Sequence, residues 1–172
     1  TDRPISQYAA TKKACEVLAY TYHHLYKQNV TVVRPFTVYG PRGRPDMAPW
    51  LFTKAAIEGT SIRKFGDGNT RRDYTFIGDF ADGFVNAMDR PLGYEIINLG
   101  NSATVSLNEM LETVSEVTGK ELIIEQLGMQ PGDVELTNAD ISKARKFLDY
   151  DPKTSFREGM EIFHRWFVEN RV

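Results

Sequence analysis

Tyr8 and Lys12 stand four residues apart in a stretch, Ser6 to about Asn29, whose apolar residues recur at helical spacing. On one helix face the two side chains are neighbours. A tyrosine hydroxyl titrates near pH ~10 and is a weak base at neutral pH, but a nearby ammonium favours the phenolate. Such a pair can act as a general acid and base. No other tyrosine in the chain has a lysine four places on.

A second group of reactive residues lies in Arg34 to Ala48, R-P-F-T-V-Y-G-P-R-G-R-P-D-M-A, with three prolines, two glycines and three arginines in fifteen residues. That is loop chemistry, fixed in φ at each proline and free at each glycine. The stretch follows the apolar run Val30-Thr31-Val32-Val33, which predicts a buried strand ending at Arg34. Open α/β sheets bind their ligands in loops leaving such strand ends. Arg42 and Arg44 are suited to paired hydrogen bonds with a carboxylate or phosphate, and Thr37 adds a hydroxyl.

Two turns complete the set. Gly66 to Tyr74, G-D-G-N-T-R-R-D-Y, opens like a dinucleotide fingerprint, but Arg71 takes the sixth position and no helix follows. It reads better as a turn that presents Arg71 or Arg72 to an anion. Gln130-Pro131-Gly132-Asp133 is a second turn whose carboxylate can accept from ribose hydroxyls.

The elements that must hold these residues alternate. A helix over Ser6 to about Asn29 has Ala10, Ala14, Val17, Leu18 and Leu25 as its apolar face, with Cys15 as core filler. Further helices are predicted from Pro49 to Glu58 with Gly59 as the stop, and from Asp79 to about Asp89. Another runs from Ser106 to Gly119, where Ser106 and Glu109 form a capping box. The last two are Asp140 to Phe147 and Ser155 to about Asn170. Strands are predicted at Val30–Arg34, Ser61–Phe65, Arg72–Ile77, Tyr94–Leu99 and Glu121–Gln126. Helices alternating with short strands indicate the α/β class.

With 172 residues, 41% hydrophobic and 26% charged, the composition is that of a globular domain. A formal net charge of -2 argues against a general nucleic-acid or anionic-membrane surface. Cys15 is the single cysteine, which excludes an internal disulfide and fits a reducing, cytoplasmic compartment. No metal-ligand spacing is visible: His23 and His24 are adjacent and His164 stands alone. The start, Thr1-Asp2-Arg3-Pro4, reads as the interior of a longer protein.

Taken together, Tyr8-x-x-x-Lys12, R-P-F-T-V-Y-G-P-R-G-R-P-D-M-A, R-R-D-Y-T-F-I-G-D and M-Q-P-G-D-V resemble the extended short-chain dehydrogenase/reductases that act on nucleotide sugars. The order and spacing agree over essentially the whole chain. Within that family the motifs look most like UDP-glucuronate 4-epimerases. The resemblance implies the carboxyl-terminal portion of an NAD-binding Rossmann-type fold plus the small substrate-binding domain. In that division, residues 1–48 and about 94–101 belong to the dinucleotide fold, and about 49–93 and 102–172 mainly to the substrate domain.

The resemblance also implies roles. Tyr8 resembles the catalytic tyrosine, which takes the sugar 4-hydroxyl proton. Lys12 resembles the lysine that holds the nicotinamide ribose. Arg34, Pro35 and Phe36 correspond to the strand end beside the nicotinamide of NAD. Thr37 and Arg44 match the positions that hold the glucuronate carboxylate. Arg63 and Phe65 lie in the segment along the uracil, Arg72 matches the diphosphate arginine, and Tyr74 and Asp133 match other nucleotide contacts. Pro35 and Arg42 depart from the bulky aromatics common in this subgroup. Alternatives on the same scaffold are a UDP-sugar decarboxylase or dehydratase, or a non-catalytic nucleotide-sugar-binding fragment. The family's glycine-rich NAD loop is not among these 172 residues. The expectation is that this polypeptide alone neither binds NAD tightly nor epimerises UDP-glucuronate with added NAD, and that its uncovered strands favour a homo-oligomer.

Overall fold

The structure is a computed structural model and describes residues 2–129 and 134–170. The second turn, residues 130–133, lies outside the described residues, and with it the expected nucleotide contact Asp133. The elements run α1 (Gln7–Tyr26), β1 (Val30–Pro35), β2 (Thr37–Tyr39), α2 (Ala48–Glu58), β3 (Ser61–Phe65), β4 (Arg71–Phe76) and α3 (Ile77–Asp89). They continue with β5 (Tyr94–Leu99), β6 (Thr104–Ser106), α4 (Leu107–Thr118), β7 (Ile123–Leu127), α5 (Ser142–Leu148) and α6 (Phe156–Asn170). The predicted signals explain the ends. Ser6 caps α1 by accepting from the Ala9 amide, Gly59 ends α2 in the left-handed region, and the Ser106–Glu109 capping box starts α4.

β1 and β5 pair in parallel, from Val30 opposite Tyr94 to Pro35 opposite Leu99. Strand pleating then sorts the neighbours. Val33, Ile97 and Leu99 face α3 and α5 in a core with Ala87, Ala144, Leu148 and Tyr150. Val32, Arg34 and Tyr94 face α1. β2 pairs in parallel with β4, and β4 in antiparallel with β6. The larger core lies between this sheet and α2, α4 and α6, around Tyr39, Trp50, Tyr74, Met110, Met160 and Phe163. β3 and β7 form a separate parallel ribbon. No helix among the described residues is long and apolar enough to cross a membrane.

Three sequence expectations fail here. The stretch after Arg34 is not loop throughout, because Thr37–Tyr39 forms β2. The chain leaves the first sheet after Phe36, whose amide still donates to Leu99 O at 3.1 Å, and the β-prone Thr-Val-Tyr triplet enters the second. The supposed apolar face of α1 points outward, with Val17 at 57%, Leu18 at 60% and Leu25 at 61% exposure. The helix docks through its polar side instead. Cys15, expected as core filler, is exposed with that face.

Candidate active site

Tyr8 lies in the first turn of α1, two residues past its cap, and Lys12 one turn later. The Lys12 ammonium sits 5.6 Å from the centroid of the Tyr8 ring, so the pair shares a face as the spacing predicts. Both side chains are exposed. What fixes this helix against the sheet is Glu16, buried in the contact with β1. Its carboxylate accepts two hydrogen bonds from one edge of the Arg34 guanidinium, from Nε at 2.6 Å and from Nη2 at 2.8 Å. Lys13 stands 3.6 Å away, and the Tyr94 hydroxyl donates to the Glu16 carbonyl at 2.8 Å. The hydrogen bond from Arg34 holds the Glu16 carboxyl below the usual glutamate range, and Glu16 in turn holds Arg34 above its own.

Between α1 and β1 runs an open groove of about 640 Å³, lined by Tyr8, Lys12, Glu16, Val32, Arg34 and Pro35 among others. The structure thus brings four of the expected site residues, Tyr8, Lys12, Arg34 and Pro35, to one cavity at the carboxyl end of β1. Arg34 is not presented to it as a free cation, since its guanidinium is taken up by Glu16. Phe36 turns away and packs beside Val33 against the core under β5.

Past β2 the chain makes a tight turn. Gly40 has φ +135°, and a Cβ there would come within 2.6 Å of Ile77 Cγ2, so no larger residue fits. The Gly43 amide donates to Gly40 O at 3.0 Å, and Arg42 takes the left-handed region at φ 61°. Arg44 leaves this turn exposed, and the hydrogen bond to Asp46 holds its guanidinium above the usual arginine range. Thr37 opens β2 and is paired in register with Tyr74 on β4. The Tyr74 ring is buried, 5.2 Å from the Phe156 ring and 6.2 Å from the Tyr39 ring.

The remaining expected residues stand apart from this groove. Arg63 and Phe65 share the open face of β3, and Arg63 makes a cross-strand ion pair with Glu125 at 3.6 Å. Arg72 is half-buried on β4 and donates to Arg71 O at 2.9 Å. Arg71, the other arginine of that turn, is used internally: it donates to Thr104 Oγ1 at 2.9 Å and pairs with Glu109 at 3.0 Å. The turn therefore does not deliver Arg71 to a ligand.

Sequence reasoning missed three acids. Glu16 is one. Asp46, whose carboxylate engages Arg44, is another. The third is Asp73, fully buried on β4. It accepts from the amides of Asn101 at 2.8 Å, Ser102 at 2.9 Å and Ala139 at 3.0 Å, and from Thr75 Oγ1 at 3.3 Å. It ties the second sheet to the carboxyl end of β5 beside the groove. Asp46 left a sequence signal, a carboxylate two places from an arginine.

Residues 1–100 match the NAD dependent epimerase/dehydratase family, and those residues carry Tyr8, Lys12 and the groove. The chain belongs to this family. It is 48% identical over 170 residues to a UDP-glucuronate 4-epimerase of Thermodesulfobacterium geofontis, covering 98% of this chain and 52% of that protein. Among solved structures, the UDP-glucuronic acid 4-epimerase of Bacillus cereus in complex with UDP-glucuronic acid and NAD is 35% identical with a TM-score of 0.90. That match covers 98% of this chain and 54% of the other. The UDP-glucose 4-epimerase of Thermotoga maritima with UDP-glucose is 29% identical with a TM-score of 0.90, over 99% and 56%. The fold is therefore the Rossmann-type fold of these enzymes, and the chain spans about half the length of the relatives it matches.

Proposed function

We propose that this chain carries the proton-transfer pair and the sugar-reading loop of a UDP-glucuronate 4-epimerase. One observation carries the reading. Tyr8 and Lys12 line the same groove as the end of β1, and the stretch from Thr37 to Arg44 leaves that strand end. The groove suits NAD in its chemistry: Lys12 lines it with an ammonium, and Glu16 neutralises the Arg34 charge. Lys12 and Pro35 are the residues that would hold the nicotinamide end. NAD, when bound, supplies an acceptor and then a donor of hydride.

The chain's own residues do the rest. The Tyr8 Oη takes the proton of the sugar 4-hydroxyl as C4 is oxidised, and returns it after the sugar presents its other face. Lys12 stands one helix turn on, with its ammonium over the face of the Tyr8 ring. Thr37 and Arg44 hold the C5 carboxylate, which distinguishes glucuronate from glucose. Arg72 and the open face of β3, with Arg63 and Phe65, serve the nucleotide end. Tyr74, expected as a nucleotide contact, pairs in register with Thr37.

The similarity to UDP-glucuronate 4-epimerases favours glucuronate over the decarboxylase and dehydratase alternatives. The experiment that tests the reading is a calorimetric comparison of UDP-glucuronate with UDP-glucose, in the chain and in Arg44→Ala. A preference for the glucuronate that Arg44→Ala removes supports the site, and equal affinities contradict it. The exposed apolar residues Val17, Leu18 and Leu25 of α1 further support self-association.

A further inference from the structure

The Arg44 fork is engaged. Asp46 takes one edge of it, accepting from Nε through Oδ1 at 3.0 Å and from Nη2 through Oδ2 at 2.5 Å. This is the parallel two-bond geometry by which a guanidinium recognises any carboxylate. The pairing is set by the backbone. The Met47 amide donates to Arg44 O at 3.3 Å, and Met47 is the cap of α2, so residues 44–47 form one turn with Asp46 inside it. The two side chains are 74% and 62% exposed, so water and a ligand reach both.

We propose that Asp46 is an internal stand-in for the ligand's carboxylate and a specificity-determining residue of the sugar loop. The inference rests on the reading of Arg44 given above. An arginine offers one such two-bonded edge with Nε, and Asp46 holds it. A sugar carboxylate that binds Arg44 in that way must displace Asp46, because two carboxylates on one edge repel each other. Displacement is easy, since an exposed ion pair contributes little in water. Asp46 therefore keeps Arg44 ordered and neutralised until a carboxylate arrives. It weakens the affinity for a carboxylate-bearing sugar nucleotide and leaves that for a neutral one unchanged. Release of a bound glucuronate is eased by the same competition.

The test is isothermal titration of UDP-glucuronate and UDP-glucose into the 172-residue chain, into Asp46→Asn, into Arg44→Ala and into the double variant. Asp46→Asn is expected to tighten UDP-glucuronate roughly two- to fivefold, the span that an exposed pair represents, with UDP-glucose unchanged. In the Arg44→Ala background the same change is expected to have no effect. Weaker UDP-glucuronate binding in Asp46→Asn would overturn the proposal and make Asp46 a support for Arg44. Equal tightening of both nucleotides, or an unchanged affinity for both, would also overturn it. Failure of the underlying reading looks different: Arg44→Ala then keeps the preference for glucuronate, or neither nucleotide binds the parent chain. Both variants lie on an exposed turn, and matching melting curves confirm that folding is intact.

Discussion

Glu16 joins the helix that carries Tyr8 and Lys12 to the strand that carries Arg34. It is 8% exposed, and its charge is met by two hydrogen bonds from one guanidinium. The Arg34 side chain is about one-third exposed, so solvent screening discounts the pair. We expect Glu16→Gln to cost about 1–2 kcal/mol at neutral pH, between an exposed pair and a buried one. The pH dependence follows from the sign of the shift. A carboxyl held below its ordinary value contributes stability above that value, and the contribution is lost as pH falls through the folded-state value. Urea unfolding at pH 7 and at acid pH is the check. The parent should lose its advantage over Glu16→Gln below pH ~4.3, and a constant difference down to pH ~3 would count against the account. At this scale the pairing of Tyr8 with Lys12 was legible, because one helix turn determines it. The roles of Glu16 and Asp73 were not. The Arg34 that Glu16 holds is 18 residues away and the amides that Asp73 binds are 28 or more away, and only the fold brings them together.

Elements were more legible than residues, because local chemistry decides them. The cap at Ser6, the capping box at Ser106 and the left-handed Gly59 each mark a helix end in the sequence as in the structure. β2 and β6 were not legible. At three residues each, they carry too little pattern, and their pairing to β4 is what makes them strands. The face of α1 was read the wrong way round. Periodicity shows that a helix has an apolar side but not what covers it. A contest of effects can be tested at α6. Gly159 sits inside that helix, where alanine is ordinarily better by ~1 kcal/mol. Here a Cβ would lie 2.1 Å from Tyr39 Oη, the hydroxyl that donates to Phe156 O at 3.1 Å in the core. Tyr39 is 4% exposed and packed against Tyr74, Phe76 and Phe156, so it cannot step aside. Crowding wins, and Gly159→Ala should destabilise by about 1–3 kcal/mol in thermal melts. A stabilised variant would contradict this packing.

At the scale of the molecule, one face of the β1–β5 pair carries only α1 among the described residues. The fold class and the parallel pairing of these strands were legible, from alternating elements and from the resemblance. The open side was anticipated only through β1 and β5 and not through the helix. With Val17, Leu18, Tyr22, Leu25 and Tyr26 each more than half exposed on α1, we expect the chain to self-associate. Light scattering across a concentration series should show a mass above 19.6 kDa, and a monodisperse monomer would contradict this.

The central claim is that the loop after β1 reads a sugar carboxylate beside Tyr8. Titration of UDP-glucuronate against UDP-glucose, before and after Arg44→Ala, tests it most directly. A bidentate guanidinium–carboxylate contact predicts a preference for the glucuronate of roughly tenfold, equivalent to ~1.4 kcal/mol, that disappears in the variant while UDP-glucose binding stays the same. Equal affinity for the two sugars in the parent chain, or a preference that survives Arg44→Ala, would contradict it.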